Sequence, residues 1–292
     1  MNYDIHYLTH YRYDGTVTDN LNSLRVRPAN TSTQRCDEFH LRLDPEARIT
    51  RHIDYFGTEV LEFGVSRPHD HLTIDVRARV ATSDPAPPPE GQHLALSGDD
   101  YLDVAGEFLL PMPNDPLSPI DELVAATTGP TPLATLNNVC QILPDRFAYQ
   151  PGATYVGSTV DDFLAGGAGV CQDFAHLSLV VLRRHGIAAR YVSGYFFSTR
   201  GAIDGADDSV EVQTHAWVEA LLPGDSVEDP PVWVGADPTN RTLATEAYVK
   251  IGHGRGYADV PPTKGVYFGS AHGALEVSVT MTRVGAATTA RA

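Results

Sequence analysis

The segment GVCQDFAH, residues 169–176, contains one cysteine that follows a glycine-rich stretch and precedes an apolar run. The run from Cys171 to Arg184 is apolar on nearly every side, which predicts a buried helix beginning at the cysteine. Arg183 and Arg184 suit the negative end of this helix, and Gly186 suits the position that ends it. Cys171 is therefore a core residue, a metal ligand or a nucleophile at a helix N-terminus.

The start of a helix favours a reactive cysteine, because unpaired backbone N–H groups and the positive end of the dipole stabilise a thiolate. The preceding Gly166, Gly167 and Gly169 allow chain and substrate to approach closely. A lone cysteine in an apolar segment is nevertheless commonly structural. A nucleophilic role requires a base within hydrogen-bond reach and a third group that orients the base.

His215 and Asp237 are candidates for the base and the orienting group. His176 is nearer in sequence, but five helical steps of about 100° turn it away from Cys171. His215 lies in the predicted strand THAWVEALL, and Asp237 ends the next predicted strand, VWVGADP. If the two strands form a hairpin, Asp237 can bond the far ring nitrogen of His215. We therefore expect Cys171, His215 and Asp237 to converge as nucleophile, general acid/base and orienting carboxylate.

Four further residues are candidates for roles at the same site. Gln172 follows the cysteine, and Tyr155 precedes the helix, where it either donates to an oxyanion or packs. Trp217 either forms a wall of the acyl site or belongs to the sheet core. We take these three as candidate substrate contacts. Asn240 could add a hydrogen bond near Asp237.

The charge of the chain limits its partners. Its 292 residues include 21 Lys and Arg against 37 Asp and Glu, a net charge of −16. Such a surface repels phosphate backbones and anionic lipid, so we expect neither a nucleic acid nor a membrane as partner. The amino terminus lacks a signal-peptide apolar region, and no apolar run is long enough to span a bilayer. A cytoplasmic location is expected.

The three cysteines, Cys36, Cys140 and Cys171, contain no C-x-x-C pair. This argues against a disulfide framework and a structural zinc site. Cys140 lies among apolar neighbours in a predicted helix and is expected to be a small core residue. A zinc ion held by Cys171, His215 and Asp237 is an alternative with only three ligands and one thiolate. We expect no metal and no other cofactor.

Two patterns of hydrophobicity divide the chain. Apolar and polar residues alternate through residues 1–82, most clearly in Leu72, Ile74, Val76, Ala78 and Val80, which predicts an antiparallel β-sandwich. The proline-rich residues 82–92 cannot pair in a sheet and mark a boundary. We expect a β-sandwich accessory domain at 1–82, a linker and lead-in at 83–117 and a catalytic core at 118–292.

The second half is predicted to contain helices followed by strands, an α+β order with an antiparallel sheet. Ser118 is the predicted N-cap of one helix, and Ser158 that of another through about Leu164. A third helix is expected over residues 132–143, and strands follow from Ala189.

The motifs GVCQDFAH, LRRHGIAARYVSGY, THAWVEALLP and WVGADPTN, in this order, resemble the bacterial transglutaminase-like family, a branch of the papain-like cysteine hydrolase fold. Residues 254–269 are similar to that family's tail, and the first 80 residues look like its accompanying β-rich domain. The resemblance implies Cys171 as nucleophile, His215 as general acid/base and Asp237 as orienting carboxylate. One difference is Gly256, which stands where family members often carry an acidic residue.

The implied reaction is acyl transfer through a thioester, in which Cys171 attacks an amide carbonyl and His215 protonates the departing nitrogen. Backbone N–H groups at the helix start are natural donors to the oxyanion. With water as acceptor the protein is a peptidase or amidase acting on a peptide or protein, which we expect because the sequence shows no calcium loop. A transglutaminase with an amine acceptor and a catalytically silent peptide-binding module are the alternatives.

Overall fold

A computed structural model describes residues 1–113, 115–198, 202–203, 206–226 and 228–285 of the chain. The strands in these ranges are β1 (Asn2–Leu24), β2 (Gln34–Asp44), β3 (Ile49–Ile53), β4 (Glu59–Val65), β5 (His69–Thr82), β6 (Ala148–Tyr149), β7 (Ala168–Gly169), β8 (Ala189–Phe196), β9 (Ala202–Ile203), β10 (Ala206–Val212), β11 (Thr214–Leu222), β12 (Val232–Asp237), β13 (Thr242–Leu243), β14 (Tyr248–Gly254), β15 (Thr263–Phe268) and β16 (Gly273–Arg283). The α-helices are α1 (Asp99–Leu109), α2 (Asp121–Thr127), α3 (Pro132–Arg146), α4 (Val160–Gly166) and α5 (Cys171–Arg184). Short 3₁₀ helices span His93–Ser97 and Tyr257–Asp259.

The long strand β1 organises the first, antiparallel sheet. Its first half pairs with β5 and β16, and after an irregularity between Arg12 and Val17 its second half pairs with β4 and β15. The predicted alternation is confirmed on β5, where five side chains are at most 6% exposed: Leu72, Ile74, Val76, Ala78 and Val80. Period-two burial of this kind arises because successive strand residues face opposite sides of the sheet.

This sheet also uses strands from the other side of the proline-rich segment. The strand order across the sheet is β2-β5-β1-β16-β10-β9. Strand β16 therefore lies directly beside β1, with Tyr3 opposite Arg283. Val279 and Met281 on β16 are fully buried in the core that β1 helps to form. The predicted limits at 82 and 118 did not anticipate this pairing, and a division into 1–82, 83–117 and 118–292 stays a prediction.

A second antiparallel sheet, of order β13-β12-β11-β8-β14, supports the helices. Helix α5 packs against β11 and β8, and α3 packs against α5. The side chains of Phe174, Leu177 and Val181 on α5 are at most 1% exposed. The prediction of a buried helix beginning at Cys171 is confirmed, and Gly186 follows its end with φ of 74°, a conformation that glycine adopts without strain.

The two sheets share a hydrophobic core at the end of β8. Tyr7 of β1 lies 6.5 Å from Tyr195 between ring centroids, and Tyr3 lies 5.3 Å from Phe197. The amide of Gln34 donates to the Lys250 carbonyl at 2.7 Å, which ties β14 to the first sheet. These contacts hold the second sheet against β1 and fix the position of its strands.

Helix starts differ from two of the predictions. The third predicted helix is confirmed as α3, but α2 begins at Asp121, and the Ser118 N–H donates instead to the Asp161 carboxylate at 3.1 Å. The cap of α4 is Thr159 rather than Ser158, because Thr159 and Asp162 form a reciprocal pair of side-chain-to-backbone bonds. Helix α1 lies in the segment expected to be a linker. Within the described ranges, no helix is long and apolar enough to cross a membrane.

Replacement of Leu177 by alanine tests how far α5 depends on packing. Leu177 is fully buried, so we expect Leu177→Ala to lower the free energy of unfolding by about 2–5 kcal/mol. Urea denaturation followed by circular dichroism measures this. The control Leu94→Ala removes a side chain that is 87% exposed and should change stability by less than about 0.5 kcal/mol. Equal losses in the two variants would contradict the packing role.

Candidate active site

A buried carboxylate fixes the turn that presents Cys171. Asp173 is 4% exposed, and its Oδ2 accepts bonds from the Val170 N–H at 2.8 Å and from the Thr154 hydroxyl at 2.6 Å. A Cβ on Gly169 would lie 2.5 Å from the same oxygen, so this position has no room for a side chain. The turn is therefore rigid, and Cys171 stands at the first position of α5, where the helix leaves its N–H groups unpaired.

His215 is held between Asp237 and Cys171. Strands β11 and β12 form an antiparallel pair with Val218 opposite Ala236, which brings Asp237 Oδ2 to 2.7 Å from His215 Nε2. The ring also interacts electrostatically with the side chain of Cys171. Burial alone would lower the pKa of His215, but the hydrogen bond to Asp237 and the interaction with Cys171 outweigh it and raise the pKa to about 10. The positively charged imidazolium is thus strongly favoured.

Asp237 is fully buried and surrounded by donors. Besides His215, its Oδ2 accepts from the Asn240 side-chain amide at 2.7 Å and from the Tyr248 hydroxyl at 2.8 Å. Its Oδ1 accepts from the backbone N–H groups of Thr239 at 2.8 Å and Asn240 at 3.2 Å. Burial raises the pKa of this carboxyl, but the bonds to His215, Asn240 and Tyr248 outweigh burial and lower it. Asp237 is therefore a fixed anion.

Tyr248 is the member of this arrangement that the sequence did not reveal. It lies on β14, opposite Phe196 of β8, and reaches Asp237 across the sheet. Burial and the neighbouring carboxylate raise the pKa of its phenol, so it remains a donor. The residue pattern around Tyr248 in β14 is that of an ordinary strand. No local sequence signal marks Tyr248 as a residue of the site.

Trp217 lies behind His215 and not in a wall of the acyl site. Its side chain is 2% exposed and packs 5.3 Å from Tyr248 and 6.2 Å from His215 between ring centroids. A Cβ on Gly194, the residue opposite His215, would lie 2.6 Å from the Trp217 ring. The interpretation of Trp217 as a substrate contact is replaced by that of a core residue supporting the histidine. Phe196 covers the histidine ring instead, at 5.5 Å.

A cavity of about 780 Å³ opens over the cysteine. Its lining includes Cys171, Gln172 and His215 from the second half of the chain, and Tyr7 and Val277 from β1 and β16. The first sheet therefore forms part of the candidate substrate site. Ser198 and residues 211–213 also border the cavity, and residues 199–201 and 204–205 of the segment between them lie outside the described residues.

Tyr155 and His176 lie apart from this group. Tyr155 is 75% exposed, and its neighbour Val156 lines the cavity in its place. His176 accepts a bond from the Tyr257 N–H at 3.2 Å through Nε2, and burial lowers its pKa to about 4. It is thus a neutral structural acceptor, as its helical angle from Cys171 suggested. In the described part of the chain, no three His, Cys, Asp or Glu side chains are grouped in a way that would hold a metal ion.

Comparisons with known families match two regions. Residues 3–81 match the family described as the bacterial transglutaminase-like N-terminal region, and residues 121–238 match the transglutaminase-like superfamily. The second match contains Cys171, His215 and Asp237. The order of the two matches along the chain is the order that the motifs indicated.

Relatives of similar length extend over nearly the whole chain. An uncharacterized protein of Mycobacterium leprae is 35% identical over 287 residues, covering 94% of this chain and 96% of that protein. An uncharacterized protein of Mycobacterium tuberculosis is 34% identical over 293 residues, covering 95% and 91%. A solved structure of a candidate cysteine protease from Cytophaga hutchinsonii shares the fold, with a TM-score of 0.73 at 22% identity, covering 96% of this chain and 90% of that one. The chain belongs to the bacterial transglutaminase-like family.

Proposed function

We propose that the protein is a cysteine-dependent acyl-transfer enzyme that hydrolyses an amide bond of a peptide or protein, with Cys171 as nucleophile. The observation that carries the proposal is the His215 ring, which lines the same cavity as Cys171, interacts with its side chain and hydrogen-bonds the buried Asp237 carboxylate. This is the arrangement of nucleophile, base and orienting group that covalent catalysis requires. The arrangement borders a cavity large enough for a peptide segment.

The reaction begins from the thiolate form of Cys171 beside the His215 imidazolium, whose positive charge Asp237 stabilises. The thiolate adds to the amide carbonyl, and the unpaired N–H of Cys171 at the start of α5 donates to the developing oxyanion. His215 then gives its proton to the departing nitrogen, and the C–N bond breaks to leave a thioester on Cys171. A water molecule, deprotonated by His215, attacks the thioester and releases a carboxylic acid and the free thiol.

The lining of the cavity favours a peptide over a small polar metabolite. The lining includes the rings of Tyr149, Tyr191 and Phe196 and the polar groups of Gln172 and Ser193. Such a lining contacts apolar side chains while it hydrogen-bonds peptide amides. An amine that replaces water in the second step would make the protein a transglutaminase, since the first half of the reaction is the same.

Asp237→Asn tests whether the carboxylate activates the thiol. Asp237 raises the pKa of His215, so the charged ring that stabilises a thiolate persists to about pH 10. In Asp237→Asn the carboxylate charge is absent, so the His215 ring loses its proton at lower pH. The pH dependence of Cys171 alkylation by iodoacetamide should then shift to higher pH. Turnover should fall by about 10²-fold or more. The control Asp145→Asn alters an exposed carboxylate and should leave both unchanged. Superimposable alkylation profiles of Asp237→Asn and wild type would contradict the role of Asp237.

The reaction products show whether water or an amine accepts the acyl group. The protein is incubated with a glutamine-containing peptide and a primary amine, and the masses are read. We expect cleavage of the peptide or deamidation of about +1 Da. Cys171→Ala should abolish the reaction, whereas Cys36→Ala, which changes a cysteine of the first sheet, should retain it. Incorporation of the amine would identify a transglutaminase. A reactive Cys171 without any product would favour the peptide-binding module.

A further inference from the structure

A second cavity, of about 140 Å³, lies along another face of α5. Its lining includes four residues of that helix and two of the segment after β14: His176, Leu179, Val180, Arg183, Arg255 and Gly256. Val156 and Tyr257 line both this cavity and the larger one over Cys171, so the two cavities are neighbours. The proposed acyl-transfer reaction makes no use of the smaller cavity.

The charge in this cavity comes mainly from two guanidinium groups. Arg183 donates through Nε to the Phe108 carbonyl at 2.9 Å and through Nη2 to the carbonyls of Ala189 and Arg255 at 3.1 and 2.9 Å. Arg255 donates through Nη2 to the Pro111 carbonyl at 3.1 Å, while its Nε is buried without a hydrogen-bond partner. Both cations thus face main-chain carbonyls, which carry no net charge.

The surrounding titratable groups leave this charge partly uncompensated. Asp115 lines the cavity, but its Oδ2 is engaged by the Met112 N–H at 2.9 Å. His176 is neutral at physiological pH, because burial lowers its pKa to about 4. Burial, acting against Asp115 and together with Arg255, lowers the pKa of Arg183 to about 10, so it stays charged near pH 7. Two partly buried cations thus face one carboxylate in the lining, and removing charge from water is unfavourable unless a counter-charge is close.

Gly256 keeps the cavity open beside the two guanidinium groups. Its φ of −162° is an extended conformation open to any residue, so the backbone does not require glycine. A Cβ at this position would lie 3.2 Å from Met112 Cε and 3.7 Å from His176 Nε2, both residues of the cavity lining. The space that a side chain would occupy is therefore part of the cavity.

We propose that this cavity binds a small anion of the carboxylate class, which Arg183 and Arg255 attract and to which the Arg255 Nε–H donates. A water molecule occupies about 30 Å³ in the liquid, so the cavity has room for a formate- or acetate-sized ion with a little water and excludes bulky anions. Guanidinium groups favour carboxylates because their planar donors match the two oxygens. The carboxylate is either a free ion or part of a substrate that extends from the neighbouring catalytic cavity.

Thermal unfolding of the full chain tests the site without reference to activity. At fixed pH and ionic strength, sodium acetate is compared with the sodium salt of the bulky morpholinoethanesulfonate. Binding to the folded state alone raises the midpoint of unfolding, and we expect a rise of about 2–4 °C at saturating acetate. Equal midpoints in the two salts would overturn the proposal.

Two variants at position 256 separate charge from volume. Gly256→Asp attaches a carboxylate beside the arginines, so its midpoint in the sulfonate salt should exceed that of wild type, and acetate should raise it no further. Gly256→Asn has nearly the same volume without the charge, and its midpoint in the sulfonate salt should stay below that of Gly256→Asp. Equal midpoints for the two variants would overturn the proposal. Arg255→Gln, which leaves Gly256 in place, should lose the response to acetate.

Kinetics distinguish the two sources of the carboxylate. If a substrate supplies it, acetate should raise KM for a peptide ending in a carboxylate and leave KM for the matching amide unchanged. If a free ion supplies it, acetate should affect both peptides equally. Either result agrees with the anion site, whose existence is tested by the unfolding measurements alone. Failure of the acyl-transfer proposal would leave those measurements unaffected.

Discussion

The buried Asp237 carboxylate is the charge on which the arrangement of the site depends. A solvent-free anion is stable only if donors replace the water it has lost, and here the histidine, an amide, a phenol and two backbone N–H groups do so. These donors come from β11, from the turn after β12 and from β14. The Asp237 carboxylate therefore receives all its hydrogen bonds only when the three strands are correctly paired. The same bonds orient the histidine.

The first sheet contributes to the site both by support and by contact. It packs on the ends of β8 and β14, which keeps Tyr248 within reach of Asp237. It also supplies Tyr7 and Val277 to the lining of the large cavity. The N-terminal region of this family is thus, in this chain, part of the surface that a substrate would meet. A description of the N-terminal region as a separate accessory unit would omit these contacts.

Much of this structure could be predicted from residues that are close in sequence. The apolar run after Cys171 indicated α5, and the alternation around Ile74 indicated β5, because both patterns repeat with the period of the element. The contact of Tyr248 with Asp237 and the pairing of β16 with β1 could not be predicted, since they depend on how distant strands meet. The cap of α4 was misassigned because the adjacent Ser158 and Thr159 carry equivalent signals, and only the surrounding bonds distinguish them. Helix α2 begins after Ile120, which makes no side-chain cap bond, while the Ser118 N–H bonds to the distant Asp161.

The pairing of β1 with β16 has a consequence for biosynthesis. During translation the ribosome produces β1 and β5 long before β16, so one edge of β1 stays without a partner until nearly all of the described chain has emerged. Val277 of β16 arrives at the cavity at the same late stage. A nascent chain that already contains the cysteine, the histidine and the aspartate therefore still lacks one wall of its cavity, and completion of the sheet and of the cavity coincide.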